Sequence, residues 1–157
     1  MILLCGLVAG FYRFPKSINV SYPAVEYRGD DAASASNTTL HIKGTLFRPL
    51  FRNPSFHGRI TVDKYDYTQH PHYQMADILF DRKVRHGWGS ILYIDGAKPT
   101  GTYFAMVWKK ANFASIKLSL FEPVGLDVVQ ASTKDLQIVA PANDYVSARA
   151  IARLYQD

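Results

Sequence analysis

Thr38-Thr39-Leu40-His41-Ile42-Lys43-Gly44-Thr45-Leu46 sets Leu40, Ile42, Gly44 and Leu46 on one side of an extended chain and Thr39, His41, Lys43 and Thr45 on the other. That period of two marks a half-buried strand. Phe56-His57-Gly58-Arg59-Ile60-Thr61-Val62-Asp63 returns with Phe56, Gly58, Ile60 and Val62 in phase. Between them Arg48 to Ser55, reading RPLFRNPS, carries the proline and asparagine of a chain reversal. The pair reads as a hairpin that places Gly44 near Gly58 across the ladder. Glycine inside a strand marks a bulge, a bend or a close backbone approach, so strong sheet curvature is expected here.

The same logic extends towards the C-terminus. Met75 to Asp81 (MADILFD) and Ser90 to Asp95 (SILYID) read as short strands around the Arg85-His86-Gly87-Trp88-Gly89 turn. Thr102 to Trp108 (TYFAMVW) is apolar on both faces and belongs in the middle of a sheet. From Phe113 to Phe121, Ala114, Ile116, Leu118 and Leu120 alternate with Ser115, Lys117 and Ser119, predicting an inward and an outward face. Pro123 and Gly125 break this run, and Leu126 to Gln130 and Leu136 to Val139 fit two more short strands. The tail changes period: Val146, Ala150, Ile151 and Leu154 recur at helical spacing behind Asn143 or Asp144 as N-cap, with Arg149 and Arg153 on the polar side.

Towards the N-terminus, Ser17 to Tyr22 reads as a half-buried strand interrupted by Pro23, and the small polar stretch Gly29 to Asn37 as a loop. Connections this short exclude helix-linked parallel strands. The fold expected is mainly β: an antiparallel meandering barrel or sandwich of about eight strands with one C-terminal α-helix.

The 157 residues suit one domain, and a content of 48% hydrophobic and 13% aromatic residues supplies its core. Cys5 is the single cysteine, so no intramolecular disulfide and no cysteine metal site can form. Met1 to Tyr12 (MILLCGLVAGFY) carries no charge and is followed by Arg13-Phe14-Pro15-Lys16. It is shorter than the roughly 20 apolar residues a spanning helix needs. It reads as part of an anchor or export segment covering residues 1–16, ahead of a β-rich domain at 17–157, or else as a buried element of that domain.

The net charge of +5 is concentrated in two stretches. Between Asp31 and Asp63 the cations Lys43, Arg48, Arg52 and Arg59 meet no acid, and from Arg82 to Lys117 only Asp95 opposes seven. Gathered on one face, Arg48, Arg52, Arg82, Lys83, Arg85, Lys109 and Lys110 would attract anionic lipid or wall polymers. No run of five to eight Lys/Arg marks a nucleic-acid patch.

Catalytic signals are weak. His70-Pro71-His72 has the spacing of two metal ligands but no third ligand fixed beside it. His41 and His57 lie on opposing strands of the first hairpin and read as a solvated pair. Ser90 follows Gly89 in a turn without the G-x-S-x-G of a nucleophile elbow. The two glutamates, Glu26 and Glu122, are not placed by pattern in one cleft. Tyr65, Tyr67, Trp88, Tyr93, Tyr103 and Trp108 cluster in mid-chain and would suit the lining of a ligand-holding barrel.

At Gly44-Thr45-Leu46-Phe47 followed by Phe56-His57-Gly58-Arg59-Ile60, and again at Ala140-Pro141-Ala142 before the final helix, the chain resembles a loose group of small membrane-anchored proteins. These are uncharacterised extracytoplasmic proteins of Gram-positive bacteria. The resemblance implies a location and a fold type, and it assigns no activity. The function expected is therefore a non-enzymatic, extracytoplasmic cell-envelope module, membrane-associated or secreted, binding an envelope protein or an anionic wall or lipid surface. The alternative is a carrier of a small hydrophobic or sugar-like ligand in the barrel interior. No catalytic residue, metal ligand or cofactor is assigned.

Overall fold

The computed structural model describes residues 12–83, 87–98 and 100–156. Cys5, Arg85 and His86, singled out above, lie outside the described residues, as does the apolar run up to Phe11. The strands, in chain order, are β1 (Pro15–Arg28), β2 (Asp31–Phe47), β3 (Ser55–Val62), β4 (Tyr73–Met75), β5 (Ile78–Leu79), β6 (Trp88–Asp95), β7 (Gly101–Lys110), β8 (Ser115–Phe121) and β9 (Thr133–Ala140). A helix, α1 (Tyr145–Arg153), follows them. The strands form one antiparallel sheet in the order β4-β6-β7-β8-β9-β1-β2-β3-β5, curled into a half-barrel.

The first hairpin forms in the expected register: β2 pairs with β3 and Gly44 stands opposite Gly58. β7 lies between β6 and β8, as its two apolar faces require. The strands that end the sheet order are two pieces of one segment. Met75 pairs with Tyr93 of β6, whereas Leu79 pairs with Ser55 of β3. Phe80 N–H then donates to Pro54 O at 2.9 Å and Asp81 N–H to Trp88 O at 2.9 Å. Residues 73–81 thus hold both margins of the curl.

The concave side is filled by side chains. Leu40, Ile42, Leu46, Phe56, Ile60, Ile91, Phe104, Val107, Phe113 and Leu118 are wholly buried in one cluster. Each contributes about 1.5–3 kcal/mol relative to an exposed position. A smaller cluster on the convex side joins Val25, Tyr27 and Val139 to Ala142, Ala148 and Ala152 under α1.

Several local expectations are corrected. β1 runs straight through Pro23. The Pro23 carbonyl accepts from Ala142 N–H, so the proline nitrogen faces the β9 side and removes no bond from the β1–β2 ladder. The polar stretch Asp31 to Asn37 is strand, leaving only Gly29 (φ +50°) and Asp30 to turn the chain. Its serines are engaged: Ser34 Oγ accepts from Arg28 N–H at 2.8 Å, and Ser36 Oγ from Lys64 Nζ at 3.1 Å. Leu126 to Gln130 forms no strand. Asp127 takes φ +55°, Val129 is 96% exposed, and Ala131 N–H closes the loop on Glu122 O at 2.9 Å.

On β8 the expected inward face is buried except that Ala114, in the preceding turn, is exposed. The expected outward face is also covered: Lys117 retains 8% exposure and Ser119 9%. The helix begins at Asp144, whose side chain accepts from Ser147 N–H at 2.7 Å in a capping box. Its buried stripe is Ala148 and Ala152, while Val146 is 76% exposed and Leu154 45%. Small alanines allow α1 to approach the sheet closely, and that contact outweighs the larger residues' pattern.

Candidate functional site

In an up-and-down meander every second turn falls at the same end of the sheet. The chain enters at that end before Pro15, and the β2–β3, β5–β6 and β7–β8 turns all return to it. Hydrogen bonds tie these segments together. Arg48 N–H donates to Arg13 O at 2.7 Å, and Arg48 Nη1 to Asn112 Oδ1 at 3.3 Å. Arg82 Nη1 donates to Leu50 O at 2.8 Å, and Asn53 Oδ1 accepts from Arg82 N–H at 3.2 Å.

This topology gathers the expected cations. Arg48, Arg52, Arg82, Lys83, Lys109 and Lys110 meet at one end, and Arg13 and Lys16 of the entering chain join them. Among the described residues none of Arg13, Lys16, Arg48, Arg82, Lys83, Lys109 and Lys110 takes part in an ion pair with a carboxylate. The far end differs. There Arg28 binds Glu122 at 2.5 Å and Asp135 at 2.7 Å, Lys64 binds Glu26 at 2.5 Å, and Arg149 binds Asp30. The molecule is electrically polar along the strands, and its positive field is concentrated where the chain enters.

Apolar side chains are exposed among these cations. Phe51 is 81% exposed, Leu79 61%, Tyr12 53% and Leu50 49%. Sequence reasoning passed over Phe14, Leu50, Phe51 and Leu79. The signal was present, because a leucine and a phenylalanine inside the RPLFRNPS turn cannot reach a core. Arg13 lies 5.8 Å over the Phe47 ring. It shares a groove of about 490 Å³ with Arg52, Asn53, Ser55 and Asp77, over an apolar floor that includes Phe47 and Leu79.

Lys109 lies at this end but turns its ammonium inward. Its ammonium turns over the Phe80 ring at 5.0 Å and the Phe113 ring at 5.6 Å, and donates to Ala111 O at 2.8 Å. Burial, with a smaller contribution from Arg48, lowers its pKa to about 8. It closes the interior rather than presenting charge to solvent.

The aromatic set divides. Tyr65, Tyr67 and Tyr93 meet Phe104 inside the sheet at ring distances of 5.5, 6.1 and 6.0 Å. Trp88 and Trp108 are cross-strand partners on the opposite face, where Lys117 Nζ lies 5.1 Å over the Trp108 ring. Tyr103 is 48% exposed. The interior tyrosines carry a polar network: Tyr65 OH donates to Glu26 Oε2 at 2.6 Å, Lys64 holds the other Glu26 oxygen, and Tyr93 OH donates to Ile60 O. The Tyr67 hydroxyl is buried and bonded to no group among the described residues.

Each described histidine except His70 stands beside an aspartate. His57 Nδ1 is 2.6 Å from Asp77, His72 Nε2 is 2.8 Å from Asp95, and His41 Nε2 is 3.1 Å from Asp63. His41 and His57 face Thr61 and Thr45 rather than each other. The His41 pair extends to a third residue, since Ser21 Oγ lies 2.7 Å from His41 Nδ1. Sequence reasoning did not find this Ser-His-Asp array. It lies on the exposed convex face, across β1, β2 and the turn residue that follows β3. A working triad puts its serine on a sharp turn beside free N–H donors in a water-excluding site. Ser21 sits in regular strand. Among the described residues no group of three His, Cys, Asp or Glu side chains is placed to hold a metal, and no helix is long and apolar enough to cross a membrane.

Comparison with protein families, with curated proteins and with solved structures returned no match to this chain.

Proposed function

We propose that this protein is a non-enzymatic, extracytoplasmic module of the cell envelope whose basic end lies against an anionic membrane surface. One observation carries the reading: Arg13, Lys16, Arg48, Arg82, Lys83 and Lys110, which form no ion pair with a carboxylate among the described residues, and exposed aromatic and aliphatic side chains converge where the chain follows its apolar first twelve residues. Amphipathic aromatic rings favour the headgroup layer, and basic residues near an anionic leaflet each add about 1 kcal/mol. The N-terminal run then supplies the apolar anchor and the sheet end the electrostatic contact, the two signals that stable membrane attachment requires. The filled concave side favours this reading over a carrier of a small ligand.

The test is vesicle co-sedimentation of the full chain. Binding to vesicles containing phosphatidylglycerol should exceed binding to neutral phosphatidylcholine vesicles and should weaken in 0.5 M salt, by screening. Replacing Lys16, Lys83 and Lys110 together by Gln should remove roughly 3 kcal/mol, about 100-fold in affinity. Equal binding to both vesicle types would overturn the proposal.

A further inference from the structure

Resting on that membrane reading, we infer that the turn between β2 and β3 is an insertion wedge, whose Leu50 and Phe51 pass the headgroups of an anionic bilayer and enter its acyl layer. The turn presents these two side chains and holds back its neighbour. Pro49 is buried, whereas Leu50 is 49% and Phe51 81% exposed at the next two positions. The fold removes neither side chain from water, and hydrocarbon would remove both.

Backbone groups are the obstacle to entry, because hydrocarbon offers them no hydrogen bonds. Several are already taken here. Arg82 Nη1 donates to Leu50 O at 2.8 Å and Nη2 to Pro49 O at 3.1 Å, so one guanidinium holds both carbonyls ahead of Phe51. Pro49 and Pro54 have no N–H to expose, and Pro54 O accepts from Phe80 N–H at 2.9 Å. Charge sets the direction of entry. Arg48 opens the turn and Lys83 follows Arg82, and neither forms an ion pair with a carboxylate among the described residues. As the tip enters, such cations stay level with the lipid phosphates. Val129 is the contrast: it is 96% exposed in the β8–β9 loop at the far end, where the loop's own charges are the carboxylates Glu122 and Asp127. Exposed apolar side chains thus occur at both ends, with cations around Phe51 and acids around Val129.

The experiment labels the full chain, in a Cys5→Ser background, with nitrobenzoxadiazole through Phe51→Cys and, as control, through Val129→Cys. On vesicles of equal parts phosphatidylglycerol and phosphatidylcholine, emission from position 51 should shift to the blue and be quenched by doxyl groups on the acyl chains. Emission from position 129 should stay that of the dye in water. Leu50→Ser combined with Phe51→Ser should weaken vesicle binding at least about tenfold, and by the same factor in 0.5 M salt, since an apolar contact is not screened. Arg82→Lys keeps the charge but not the fork, and should lose most of the blue shift at 51; a full shift there would overturn the role of Arg82. The serine variant changes only exposed side chains, so its result stands should the Arg82 variant misfold. A probe at 51 that stays in water while the protein binds vesicles would overturn the wedge and leave the electrostatic contact. Absence of vesicle binding would overturn the membrane reading and the wedge with it. A blue shift without vesicles, growing with protein concentration, would give the turn to a second copy of the chain and overturn the inference.

Discussion

Gly44 and Gly58 stand face to face across the β2–β3 ladder, each filling the space that the other's side chain would need. A Cβ at 44 would overlap His57 O and sit 2.6 Å from Gly58 Cα, and one at 58 would overlap Lys43 O and sit 2.5 Å from Gly44 Cα. Neither backbone can yield without breaking the ladder. Gly44→Ala should therefore destabilise the protein by about 3 kcal/mol through overpacking. In thermal unfolding that is a fall of roughly 6–12 °C. A change within 2 °C would refute this account of the sheet's curvature.

The interior tyrosines predict a distinctive alkaline titration. Burial raises Tyr65, Tyr67 and Tyr93, and the bond to Glu26 raises Tyr65 further. Above about pH 10 the unfolded chain releases protons that these residues keep when folded, so stability falls as pH rises beyond that point. Absorbance at 295 nm should show at least these three of the ten tyrosines ionising only with unfolding, with Tyr27 and Tyr155, also raised by burial, lagging behind the exposed ones. Ionisation of all ten in the folded protein near the ordinary value would contradict the packing. Glu26→Gln should cost about 1–2 kcal/mol, since it leaves Lys64 without its counter-charge, and the half-exposed position of Lys64 keeps the loss modest.

Lys109 should titrate apart from the other lysines. With its pKa lowered to about 8, chiefly by burial, the unfolded chain binds one more proton than the folded one from about pH 8 to about pH 10.4. Through that window this residue makes stability rise with pH. Reductive methylation with ¹³C-formaldehyde should reveal one dimethyl-lysine resonance with a midpoint near 8, absent from Lys109→Met. The rings of Phe80 and Phe113 attract the ammonium, so the depression measures how far water is kept from it. If every lysine titrates in the ordinary range, the ammonium is not sealed under those rings.

The Ser21–His41–Asp63 array should be chemically quiet. Without a tight turn or an enclosing cleft, Ser21 lacks the donors that would stabilise an oxyanion. A fluorophosphonate reagent should leave Ser21 unlabelled, and Ser21→Ala should change stability by less than about 0.5 kcal/mol. Stoichiometric labelling at Ser21 would instead mark the convex face as a hydrolytic site.

The parts of this fold legible in the sequence were those set by local pattern. The glycine pair follows from two in-phase strands and a short turn, the central place of β7 from its two apolar faces, and the start of α1 from Asp144 ahead of a helical period. What escaped depended on distant neighbours. Pro23 looks like a strand end until one knows that its nitrogen faces the side where β9 has stopped. Asp31 to Asn37 has no apolar residue beyond alanine, so no period betrays it, and its pairing with β1 is the evidence of strand. Reading that stretch as a loop also concealed the array, because Ser21 meets His41 only when β1 and β2 are extended past it. For the site, the cations were visible singly. Their convergence follows from the alternation of turns in a meander, and the apolar residues between them were visible in RPLFRNPS but not set beside the charges.

Residues 73–81 grip β6 with one part and β3 with the next, which makes that stretch a seam in an otherwise continuous sheet. Every other junction in the curl is a ladder between longer strands, whereas here a three-residue and a two-residue strand share the work. Loss of the seam would let the curl spread, baring Ile60, Ile78 and Ile91 while leaving the β1–β2–β3 and β6–β7–β8–β9 ladders intact. Opening of the native molecule is thus directed to one line, and amide protons along 73–81 should exchange ahead of those in the paired strands on either side.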